Sequence, residues 1–151
     1  MPNSIKHQTI MAFDYGLRQI GVAHGQTLTA NAEGIGILKA SDGVPNWDDV
    51  KAMLNEWKPN LILVGLPLNM DGSESELSRL ARKFARRLQG RFNVDALMVD
   101  ERLTSQDAKS SLRDPSSNNK GNKIDLTKID HLAAALILQS WLDQPNLGQQ
   151  P

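Results

Sequence analysis

The chain of 151 residues contains no cysteine, which excludes disulfide stapling and thiolate metal sites. No charge of either sign dominates: 17 lysines and arginines face 17 aspartates and glutamates. A nucleic-acid partner would therefore have to be held by a local patch, because the molecule has no overall field to attract it. No apolar run approaches the length that crosses a membrane, and the start MPNSIKHQ lacks the apolar core of a signal peptide. The expectation is a soluble cytoplasmic protein without a membrane partner. Aromatic residues are scarce at 5%, and Trp47, Trp57 and Trp141 fall at helical positions, where they read as packing residues. No internal repeat is visible.

What is present is enough for one domain, since a chain of this length buries roughly two thirds of the surface it exposes when unfolded. Its ordered core is expected over about residues 9–143. Thr9 to Phe13 is an apolar run that stops at Asp14. Gly16 and Arg18 mark a turn, and Ile20 to Ala23 returns as a second strand. Asp14 thus ends a central hairpin strand, where a charge is unexpected unless it is a turn residue or has chemical work to do. Glu33 to Lys39 suits a third antiparallel strand, after which SDGVPN forms a turn cluster. Asn46 caps a helix over Trp47 to Trp57, with Asp48 and Asp49 placed favourably in its first turn.

Leu61 to Gly65 (LILVG) is apolar without alternation, as expected of a strand covered on both faces and parallel to the first. Ser73 and Glu76 have the spacing of a capping box for a second helix ending near Gln89, where Gly90 stops it. Val94 to Val99 is the next strand, DERLTS its exit, and Thr104 or Ser105 caps a short helix to about Leu112. Residues 113–123 are polar and rich in turn formers, which predicts a mobile loop. From Asp125 a helical stripe recurs up to Pro145, and the tail beyond should be loose. This order predicts an α/β fold: a five-stranded mixed sheet of three antiparallel meander strands and two parallel ones, with helices on both faces and the fourth strand beside the first.

In such a sheet chemistry gathers outside the carboxyl ends of the parallel strands. Asp14 ends the first strand and Glu101 follows the last, while Asp130 lies near the start of the long final helix on a stripe with Ala133, Ala134 and Ile137. Each of these acids alone could be a turn, an ion pair or an ordinary helix residue. Together they fall at one predicted rim, and the usual reason to crowd carboxylates is a divalent cation, with magnesium favoured by all-oxygen ligands. Asp100 reads as structural. The second helix carries Arg79, Arg82, Lys83 and Arg86 opposite its apolar stripe, with Arg87 at the border. That ridge is either a grip for a phosphate backbone or a solvated helix face.

Four ordered blocks, DYGLRQIGVA, VGLPLNMDGSE, DERLTSQDA and IDHLAAALIL, resemble those of the YqgF family, whose members are described both as pre-16S rRNA nucleases and as Holliday-junction-resolvase-like proteins. The resemblance runs from about Ile10 to Leu142 and departs at RQIG, where the family more often has RIG. It implies an RNase H-like fold, a cytoplasmic bacterial setting with possible ribosome-assembly partners, and nuclease activity dependent on Mg2+ or Mn2+. Its acids fall on Asp14, Glu101 and Asp130 as catalytic metal ligands. Arg18 and Arg102 lie within the shared blocks and, with the ridge arginines and Lys83, complete the expected nucleic-acid contacts. Precursor rRNA is the leading substrate, branched DNA the alternative, and a non-catalytic RNA-binding module the reading from another class. An actin-like ATPase would need a second, duplicated domain.

Overall fold

The computed structural model describes residues 8–102 and 126–151, with side chains in the second stretch described from residue 132 onward. Among the described residues six strands and three long α-helices follow in the order β1 Thr9–Asp14, β2 Gln19–Gln26, β3 Asn31–Ser41, β4 Val44–Pro45, α1 Trp47–Trp57, β5 Leu61–Leu66, α2 Glu76–Phe92, β6 Asp95–Asp100 and α3 Leu126–Asp143, with a 3-10 turn at Pro145–Leu147. The sheet order is β4-β3-β2-β1-β5-β6. β1 pairs antiparallel with β2 and parallel with β5, and β6 runs parallel to β5. The short helix expected after Thr104 and the loop at 113–123 lie outside the described residues.

The strand count exceeds the expected five by one. The extra strand is made by Asp42 and Gly43, whose φ values of 51° and 84° form a two-residue hairpin turn. Their turn pairs Ser41 with Val44 and Ala40 with Pro45 at the sheet edge, where proline is tolerated because no further strand needs its N–H.

Alternation along the strands sorts the core into two layers. Met11, Phe13, Val22, Ile62 and Val64 face α1 and α2, packing with Val50, Leu54, Phe84 and Leu88. Ile10, Ala12, Leu61 and Leu63 face α3, against Ala134, Ile137, Leu138 and Trp141. Every residue of β5 is buried, which is why LILVG shows no polar alternation.

Two helix boundaries move from their expected positions. α2 is capped by Ser75 and not by Ser73: the Ser75 hydroxyl accepts from Ser78 N at 3.3 Å, and Ser75 N donates to Ser78 Oγ at 2.9 Å. Ser73 is instead held by Asp71, whose carboxylate accepts from the Ser73 N–H and hydroxyl. At its other end α2 passes through the exposed Gly90 and stops at Asn93, whose left-handed φ of 53° closes the helix. Replacing Ser75 by alanine is expected to lower stability by about 1 kcal/mol, the usual worth of a cap side chain, measured as a shift in denaturant midpoint at constant m.

The tail also differs from expectation. Met98 and Gln149 exchange N–H···O bonds of 2.7 and 2.9 Å, so residues beyond α3 lie along the open edge of β6. An uncovered edge strand offers unpaired backbone groups to any passing chain, and the tail occupies them.

Candidate active site at the carboxyl edge

Asp14 is the last residue of β1, one step beyond the Phe13–Val64 pair and therefore alongside Gly65 of β5. Gly65 pairs with Val99 of β6, and Glu101 follows two residues later, where the chain turns helical. Strands two places apart are separated by roughly 10 Å, more than two short acids span unaided. The residue between them solves the problem. A Cβ built on Gly65 would lie only 2.8 Å from Cδ and Oε1 of Glu101 and 2.7 Å from Cδ1 of Ile137. The Glu101 carboxyl thus lies across β5 in the space a side chain would fill, on the face covered by α3.

There it shares a side-chain hydrogen bond with Asp14. Burial, that hydrogen bond, the charge of Asp14 and the charge of Asp100 together push the Glu101 carboxyl up to about 9. Two carboxyl groups in contact cannot both ionise without a compensating charge. At neutral pH the compensation is a proton, and the same pair of hard oxygen donors fits a divalent cation in its place.

The neighbouring acid behaves oppositely. Burial alone would raise the Asp100 carboxyl, but the hydrogen bonds and charge of Arg102 outweigh it and hold the group below its ordinary value. Arg102 Nη2 reaches Asp100 Oδ2 at 2.8 Å, its Nε lies 3.2 and 3.1 Å from the two oxygens, and its backbone N–H donates to Oδ1 at 2.8 Å. Its Nη1 points at Met70 O, 3.5 Å away. Adjacent acids with shifts of opposite sign have divided roles: Asp100 anchors Arg102 against the β5–α2 loop, and Glu101 faces Asp14.

The remaining expected residues are distributed as follows. Asp130 lies on α3, and its side chain is outside the described residues. Arg18 is exposed in the turn after β1. Three of the ridge arginines are engaged within the fold. Arg79 pairs with Glu76. Arg82 pairs with Glu74 at 2.9 Å and donates to Gln150 O at 3.1 Å. Arg86 donates to Pro151 O at 2.9 Å. Lys83 is exposed and enters none of the ion pairs among the described residues. Sequence reasoning missed Gly65; the only sign of it was a glycine at the end of an otherwise apolar buried strand.

A family model described as "RuvX: Holliday junction resolvase" matches residues 8–144. Among relatives, a "Putative pre-16S rRNA nuclease" of Acinetobacter baylyi is 46% identical over 151 residues, covering 100% of both chains. One of the same name from Pseudomonas fluorescens strain Pf-5 is 53% identical over 135 residues, 89% of this chain and 92% of that one. Among solved structures, Thermus thermophilus RuvC in complex with a Holliday junction substrate superposes with a TM-score of 0.54 at 14% identity, covering 91% of this chain and 98% of that one. The fowlpox virus resolvase bound to junction DNA gives 0.51 at 18% identity, with the same coverage. These two likenesses concern the fold, which is the RNase H-like one that the motif blocks implied.

Proposed function

The chain belongs to the RuvX family, the YqgF family of the motif blocks, and from that membership we propose that it is a metal-dependent nuclease acting in 5′-end processing of precursor 16S rRNA. It is a hydrolase of phosphodiester bonds. The observation that carries the metal reading is the meeting of Asp14 and Glu101 at the carboxyl edge, with Glu101 held protonated up to about 9 in the absence of another positive charge. Asp14 and Glu101 are the cation's ligands in this reading. Asp130 is the third, supported by its place seven residues before Ile137, two helical turns from the side chain that meets Gly65.

Held by Asp14, Glu101 and Asp130, Mg2+ or Mn2+ would supply a more acidic water and positive charge beside the phosphodiester. The chain's own residues do the rest. Asp14 ends β1 and Glu101 directly follows the last residue of β6, so it is the sheet that brings the two carboxyls to one edge. Asp100 stays ionised and holds Arg102, and Arg102 holds the β5–α2 loop beside the edge. A cytoplasmic location belongs to this reading, and among the described residues no helix is long and apolar enough to cross a membrane.

The family description also names Holliday junctions, so substrate is tested side by side. Precursor 16S rRNA and a four-way DNA junction are each incubated with the protein and Mg2+ over a range of concentrations, and again with chelator. Expected is Mg2+-dependent cleavage of the RNA at its 5′ flank, with none in chelator. Cleavage of the junction alone would move the assignment to a resolvase, and salt-sensitive RNA binding without cleavage at any Mg2+ concentration would make the chain a binding module.

A further inference from the structure

Beside the acidic edge, on the opposite face of the sheet, a cavity of about 140 Å³ opens between the β3–β4 turn and α2. Its wall is apolar, formed by Val44, Trp47 and Leu80 over the buried Phe84. Val44 is 46% exposed at the cavity mouth. Lys83 and Arg87 line the same cavity, one helical turn apart and so neighbours on α2. Among the described residues neither joins the ion pairs and carbonyl contacts that occupy Arg79, Arg82 and Arg86. Asp42 stands at the rim as the one acid.

The cavity has a fixed frame. The Tyr15 hydroxyl donates to Gly43 O at 2.8 Å, Gly43 N donates to Leu17 O at 2.8 Å, and Ala40 N donates to Arg18 O at 2.8 Å. Gly43 sits so close that a Cβ there would meet the Tyr15 hydroxyl at 2.0 Å. The β3–β4 turn is thereby seated on the residue that follows Asp14. Because successive residues of a strand face opposite ways, Asp14 turns to the α3 side and Tyr15 to the cavity. A polynucleotide strand crossing the edge at Asp14 would have its neighbouring nucleotide over the cavity.

We propose that this cavity is a subsite for one nucleotide of a single-stranded substrate, with Lys83 and Arg87 on its phosphate and the Val44–Trp47 wall against its base. The charge fits: two cations and one acid leave a net positive lining for one phosphate. The Trp47 ring is itself covered by Arg91, 4.3 Å from its centroid, and lies against Phe84, so Val44, Leu80 and the Trp47 edge offer a base apolar contact that is indifferent to sequence. Asp42 accepts from a ribose hydroxyl or an exocyclic amine. The basic ridge of α2 is thereby divided, with Arg79, Arg82 and Arg86 bracing the helix and Lys83 and Arg87 serving the ligand.

The proposal rests on the nuclease reading for its choice of ligand, and its test is independent of the metal site. Binding of a fluorescently labelled RNA octamer, and of a DNA octamer of the same sequence, is measured in chelator over a series of salt concentrations. The Lys83→Gln/Arg87→Gln double variant is expected to bind both about tenfold more weakly, with the slope of log affinity against log salt reduced by about 0.7, the value for one single-strand phosphate contact. Val44→Ser, at an exposed position that leaves the core intact, should weaken binding while leaving the salt slope at the parent's value. Arg79→Gln should change neither. Parent-like affinity and slope in the double variant, or an equal loss in Arg79→Gln, would overturn the subsite. Failure of Asp14→Asn to abolish cleavage would overturn the metal reading and leave these binding results as they stand.

Discussion

Glu101→Gln is expected to abolish Mg2+-dependent cleavage while making the metal-free protein more stable at neutral pH. Losing a ligand that stabilises transition-state charge costs several kcal/mol, and about 4 kcal/mol corresponds to roughly a thousandfold in rate. The glutamine keeps the shape of the side chain and can donate to Asp14, so its effect is on charge and not on packing. The stability change follows from the proton. The Glu101 carboxyl titrates near 4.5 in an unfolded chain and near 9 in the fold, raised mainly by burial and by its contact with Asp14. Below pH 4.5 both states hold the proton and the native contribution is complete. Between that pH and about 9 the unfolded chain has released its proton and the folded chain has not, so metal-free stability falls as pH rises. At pH 7 the loss is on the order of 1–3 kcal/mol. Glutamine removes this dependence. Urea unfolding in chelator at pH 5 and pH 8 should show the variant gaining on the parent with pH. A gap that stays constant would mean that Glu101 carries no extra proton in the fold. Added Mg2+ should stabilise the parent and not the variant.

The parts of this site that are legible in the sequence are those set by local periodicity. The stop of an apolar run at Asp14, the unalternating LILVG and the strand ending before Glu101 each follow from which faces are buried. What is not legible is contact between elements far apart in the chain. Arg82 and Arg86 read as an open ridge because their acceptors, Gln150 and Pro151, are 68 and 65 residues away. The tail reads as loose because nothing in its own composition announces that the edge of β6 will be open beside it. The extra strand was hidden inside a turn cluster, although its Asp42–Gly43 pair is a strong hairpin signal once both flanks are taken as extended. The meeting of Asp14 with Glu101 could be argued only as far as a shared rim. Whether two acids separated by a strand can touch depends on the residue that strand places between them.

That residue gives the second large effect. Gly65→Ala is expected to lower cleavage about a hundredfold in a protein that still folds. Gly65 lies within β5 and its φ is not in the left-handed region, so alanine brings no backbone strain, and the penalty comes from the space it fills. Its Cβ would be 2.8 Å from Cδ of Glu101 and 2.7 Å from Cδ1 of Ile137, where ordinary contact begins at 3.4 Å. Both neighbours are ends of side chains and can yield, at a stability cost of about 1–3 kcal/mol for overpacking. The carboxyl yields by moving away from the site that Asp14 defines. Displacement of a reacting group by about 1 Å is enough for a hundredfold loss. A purely structural role for Gly65 would lower stability and leave the metal dependence of the surviving activity unchanged. Misplacement of Glu101 instead raises the Mg2+ concentration needed for half-maximal cleavage and shrinks the thermal shift produced by the ion. Ile137→Val, which clears one of the two clashes, should recover stability in the Gly65→Ala background without recovering cleavage, because the methyl group would still occupy the path of Glu101 across β5.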